Sequence, residues 1–194
     1  MRRFLFALPV ALLPLACVAH DHAEHDHQHE EHGSLGAHVH GFAELDVALD
    51  GQTLELQLNS PAMNLVGFEH EAKSTEDKSK VASAQSELGK PVELFGISQG
   101  QCSVTAQELE SPLFADAHAH HGHDHGDHDD HKQAHNDIHA HYTLVCAEAD
   151  NLKQLDLSEL FKRFPATEKI KVQLIGPSGQ KGQELTANSP TLSF

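Results

Sequence analysis

The sequence predicts an α+β fold: a mostly antiparallel sheet with a few short helices, plus a disordered histidine-rich N-terminal tract and a disordered histidine-rich loop. Apolar residues alternate with polar ones in several separate runs, the period of a half-buried strand. Asp50-Gly51 stands between the first two of these runs and is a strong hairpin signal. Helix-start signals occur at Ser74 and Asp156, without the regular alternation of strand and helix that a parallel sheet would need.

Taken in order, residues 1–19 read as a secretory signal peptide. Arg2 and Arg3 form a positive start, and Phe4 to Leu15 form an apolar run too short to span a bilayer as a helix. Small residues then lead to a cleavage position after Ala19. The alternative is a lipoprotein anchored at Cys17, although Pro14 stands where such signals usually carry leucine. Loss of the two arginines takes the formal charge from −16 to −18. So acidic a chain disfavours nucleic acid and anionic membranes as partners and suits the attraction of cations.

Residues 20–36 form the first histidine tract, and 37–194 a single metal-binding domain with an insertion over 115–138. Ala43, Leu45, Val47 and Leu49 mark the first strand; Leu54, Leu56 and Leu58 mark its return, stopped at Ser60-Pro61. Extending the first strand backwards would put His38 and His40 on the face of Glu44, an i, i+2 pair suited to chelation; the bland alternative is that they only end the flexible tract. Ser74-Thr75-Glu76-Asp77 opens a helix whose buried stripe is Val81, Ala84 and Leu88, ended by Gly89 and Pro91. Pro91 to Ile97 reads as a short apolar connection or strand.

Cys102 to Leu109 and His139 to Glu148 form an antiparallel pair whose overlong connection is the insertion. His139 and His141 share one parity at the start of the second strand. Cys102 and Cys146, an even pair in an exported chain, are expected to form a disulfide around that connection; two thiolate metal ligands are the alternative. Asp156 caps a short helix carrying Leu160, Phe161 and Phe164. Ile170, Val172 and Leu174 mark a strand turned by residues 176–179, and a last strand near Glu184 to Thr186, or at Leu192 to Phe194, finishes the sheet.

The chemistry lies in histidine. Ten of the nineteen fall between His118 and His141, interleaved with aspartates: His118, His120, His121, His123, His125, His128, His131 and His135, then His139 and His141. Six more, His20, His22, His25, His27, His29 and His32, fill the first tract. Neutral imidazole is a preferred ligand for zinc, copper and nickel, and nearby carboxylates favour the approach of a dication. Both tracts lack the apolar surface that would offset the entropy of ordering. A solvated polar linker is the bland reading, but repeated H-x-H spacing in both tracts favours metal collection. A purification tag is opposed by the mixed Asp, Glu and Ala between the histidines. Zinc is the expected ion, and Cu2+ or Ni2+ would bind the same donors. His70, standing alone, reads from the residues as an ordinary surface histidine.

Ala37-His38-Val39-His40-Gly41, the acidic hairpin after it, and Pro61-Ala62-Met63-Asn64-Leu65-Val66-Gly67-Phe68-Glu69-His70 together resemble the ZrgA-like family of zinc-regulated periplasmic zinc-binding proteins. The resemblance runs from His38 to the C-terminus and includes the cysteine pair. It implies a Gram-negative periplasmic protein, made under zinc limitation, that binds zinc and assists its import, and it makes His70 a ligand candidate. The folded site is then expected among His38, His40, His70, His139 and His141, with zinc ions and a zinc importer, or its periplasmic binding protein, as partners. A sponge against excess zinc, copper or nickel is the alternative of the same chemistry. A metallohydrolase would need a set such as H-E-x-x-H. His29-Glu30-Glu31-His32 is one residue short of that, so an enzyme is not expected. A solute-binding protein with two α/β lobes would need a longer chain.

Overall fold

The computed structural model describes residues 39–114 and 136–194. The expected signal peptide, the tract over 20–36, His38 and the loop over 115–135 lie outside the described residues.

Strands β1 (Phe42–Asp50) and β2 (Thr53–Pro61) form the hairpin the alternation predicts. Asp50 pairs with Thr53, so Gly51 and Gln52 make the two-residue loop, and Gly51 takes φ 57° at its first position. Only glycine takes that angle readily, and it gives the loop the twist that suits flanking strands. Strand β2 leads directly into α1 (Ala62–Val66), ended by Gly67 at φ 84°. At five residues, this helix is too short for the sequence to show a helical period.

Helix α2 (Thr75–Leu88) starts as expected: Ser74 accepts from the Asp77 amide while the Asp77 carboxylate accepts from the Ser74 amide. Its buried residues are Val81, Ala84 and Leu88. The stretch from Pro91 is a helix, α3 (Pro91–Leu94), where a connection or strand was expected. Proline at the first helical position has φ preset and lacks only an N–H that would have no partner there. Strand β3 (Cys102–Glu110) and β4 (Asp137–Cys146) form the expected antiparallel pair, β4 beginning two residues ahead of His139. Then come β5 (Gln154–Asp156), α4 (Ser158–Arg163), β6 (Lys169–Gly176), β7 (Gly179–Thr186) and β8 (Thr191–Ser193). Both candidates for the last strand exist, but β8 pairs with β5 in a separate two-stranded sheet.

The main sheet runs β3-β4-β2-β1-β6-β7; β1 and β6 are parallel and every other pair is antiparallel. One face carries Leu45, Leu54, Leu56, Leu58, Leu144 and Val172 into a core shared with residues of α2, α3 and α4. Each buried leucine contributes about 1.5–3 kcal/mol. Tyr142 lies there too, its hydroxyl donating to Leu88 O at 2.9 Å and its ring edge-on to Phe95. Burial pushes that hydroxyl well above its usual pKa. Arg163 ties the helices together, bonding Glu87 of α2, Glu93 of α3 and Glu159 of α4. The opposite face of the sheet is wet, and Glu44, Asp46, Gln57, His139 and His141 stand exposed on it.

Cys102 and Cys146 pair directly across β3 and β4 and form the expected disulfide, 44 residues apart in sequence. On the loop-entropy model a closure of that size stabilises by ~4 kcal/mol. Among the described residues no helix is long and apolar enough to cross a membrane.

Candidate metal centre

His40 does not belong to a strand. Phe42 N donates to Val39 O at 3.0 Å, closing a tight turn with His40 and Gly41 in its middle, and Gly41 has φ 82°. A positive φ confined to the third residue is the type II pattern and calls for glycine there. The expected i, i+2 strand geometry for His38 and His40 is therefore not formed at His40. The turn is anchored on three sides. Gly41 N donates to Asn64 Oδ1 at 2.7 Å, Asn64 Nδ2 donates to Phe42 O, and Gly41 O accepts from Glu168 N and Lys169 N.

On this turn His40 Nε2 lies 3.0 Å from Glu69 Oε1. A carboxylate only accepts, so Nε2 carries the proton, and in the neutral ring the lone pair sits on Nδ1. Carboxylate-oriented imidazoles of this kind are common metal ligands. Glu69 is held in turn by Asn136, whose side-chain amide donates to Glu69 O while its own carbonyl accepts from Ala62 N. Asn136 thus ties the return of the insertion to the end of β2 and to the segment that carries Glu69.

His139 and His141 do share one face of β4, as parity predicts. Register places His139 between Asn59 and Glu110, and His141 between Gln57 and Glu108. Continuing across β1, Asn59 faces Glu44 and Gln57 faces Asp46. Two polar rows thus cross the wet face, each with one histidine and two carboxylates. His139 Nδ1 is 2.7 Å from Asn59 Oδ1. That oxygen accepts, which favours the tautomer with the proton on Nδ1 and the lone pair on Nε2.

His70 is exposed, stacked on Phe68 with ring centroids 4.6 Å apart, and its Nδ1 is 3.0 Å from Glu71 O. Here too an oxygen acceptor faces one ring nitrogen. Three histidines, His40, His70 and His139, therefore have one nitrogen tied to an oxygen acceptor. Nitrogen and carboxylate donors of this sort suit zinc. Among the described residues, however, no three His, Cys, Asp or Glu side chains are grouped as a ready-made metal site. The disulfide also removes the cysteines as thiolate ligands.

A depression of about 350 Å3 is lined by Val39, Phe42, Glu44, Asn59, Asp137 and His139. A neighbouring one is lined by Glu110, Phe114, Asp137 and His139. Val39 thus shares the first depression with His139, and Phe114 shares the second with it. Sequence reading gave no role to Asn59 or Asn136, and met Asn64 and Glu69 only as members of the stretch that carries the resemblance. Strand register could have pointed to Asn59 by its parity with Glu44, but no local signal marks Asn136 or gives Asn64 and Glu69 their hydrogen-bonding roles.

No curated protein matches the chain. The pattern of the ZrgA family zinc uptake protein matches residues 37–194, spanning every described residue. That family is one of zinc uptake and not a known enzyme family, and zinc is its ion. The chain belongs to the ZrgA family of zinc uptake proteins.

Proposed function

We propose that the protein is exported to the periplasm, where it scavenges zinc and serves as chaperone or reservoir for a zinc importer. The observation that carries this reading is the family match over residues 37–194, which takes in His40, His70 and His139, each with one ring nitrogen against an oxygen acceptor. His38 and His141 complete the candidate set. Zinc is the cargo here, so the site must release as well as bind. Exposed donors in incomplete groups suit that, because the last ligands arrive with the ion and leave with it. The tract and loop histidines supply weaker sites that raise the local zinc concentration. Family membership supports zinc over copper or nickel.

Calorimetric zinc titration of the exported chain beside a deletion of residues 117–135 tests this. The deletion must retain Asn136, because its carbonyl and amide hold Ala62 and Glu69. Retention of a tight site with loss of weak ones supports the reading. Loss of all binding would mean that the loop is itself the site.

A further inference from the structure

Asn64 is 2% exposed within a short helix whose other buried residues, Ala62, Leu65 and Val66, are apolar. An apolar side chain would fill such a position without the desolvation that a buried amide suffers. The amide is kept satisfied by three bonds. Its Oδ1 accepts from Gly41 N at 2.7 Å, and its Nδ2 donates to Phe42 O at 2.9 Å and to Ser60 Oγ at 3.2 Å. Two of these end on the residues that directly follow His40, and the third ends on β2. None ties the helix to itself.

We infer that Asn64 is a positioning residue of the zinc site, acting through the turn that carries His40; this rests on the function proposed above. Glu168 N and Lys169 N hold the turn at Gly41 O, and Asn64 holds it from another side, at Gly41 N and Phe42 O. With the Gly41 amide and the Phe42 carbonyl bonded to one rigid side chain, the His40 ring stays directed at Glu69 before zinc arrives. Supporting groups that orient a ligand in this way commonly alter metal affinity by roughly 10–100-fold.

The test uses the full chain with four variants: Asn64→Ala, Asn64→Asp, His40→Ala, and Asn64→Ala combined with His40→Ala. Zinc affinity is read by competition with a chromophoric chelator, and folding by circular dichroism and thermal melting. Asn64→Asp keeps the size and the acceptor for Gly41 N while losing donation to Phe42 O, so it carries the test if the alanine variant does not fold. The expected result is a roughly 10–100-fold weaker tight site in each folded Asn64 variant, with the double variant no weaker than His40→Ala alone. Unchanged affinity in a folded Asn64 variant overturns the inference. So does additive weakening in the double variant, since Asn64 would then not act through His40, and so does failure of both Asn64 variants to fold, which marks a structural role. If His40→Ala itself leaves affinity unchanged, the site reading falls and the inference with it.

Discussion

Asn59 Oδ1 lies 2.7 Å from His139 Nδ1 on the neighbouring strand, a contact that favours the tautomer with the proton on Nδ1. Replacing Asn59 with leucine removes the acceptor and lets the imidazole change tautomer and rotate. Zinc binding is expected to weaken by roughly tenfold, the lower end of the effect of losing a ligand's supporting partner. Titration of the variant beside His139→Ala checks this, since the leucine variant should lose less than the alanine.

Gly41→Ala should destabilise the domain and disturb the turn. At φ 82° an alanine is strained, and its Cβ would lie 3.1 Å from the Glu168 side chain. The conformational term alone is about 1–3 kcal/mol. Denaturant unfolding measures it, and a variant as stable as the parent would show that the turn can rearrange at no cost.

Cys102→Ser together with Cys146→Ser should lower stability by up to ~4 kcal/mol on the loop-entropy model. The bridge lies at the end of β3 and β4 away from the insertion, far along both strands from His139. Zinc affinity of the folded variant should therefore stay within a few-fold of the parent's. A large loss at a temperature where the variant is still folded would instead link the bridge to the site.

The start of α2 contributes a pH-dependent part of stability. The Ser74 hydroxyl and amide beside Asp77 hold its carboxyl below the ordinary aspartate range. A carboxyl whose folded pKa is depressed stabilises above its unfolded pKa and loses that contribution as pH falls through the folded value. Ser74→Ala should cost about 1 kcal/mol near neutral pH. The gap between variant and parent should shrink in acid, and unfolding curves from pH 7 down to pH 3 measure it.

Local patterning made the hairpin, the capped helix α2 and the β3–β4 pair legible, because each depends on neighbours within a few residues or on a strict period of two. The same parity put His139 and His141 on one wet face. It failed for His40, where a glycine with positive φ ends the strand pattern and begins a turn. It also failed for α1 and α3, since helices of five and four residues carry no readable period.

By itself the amino-acid sequence determined the class of chemistry, the sheet-dominated fold and the disulfide. Composition, alternation and cysteine number are properties of the chain that need no partner across space. Only the tertiary structure decided which oxygen two of the histidine rings meet, Glu69 for His40 and Asn59 for His139, and that Asn64 bonds the turn that carries His40. The physical reason is that a hydrogen bond between residues 23 or 80 positions apart, as in Gly41–Asn64 or Asn59–His139, depends on strand order and packing. Those are set by the whole core at once and leave no mark on either residue's neighbours in sequence.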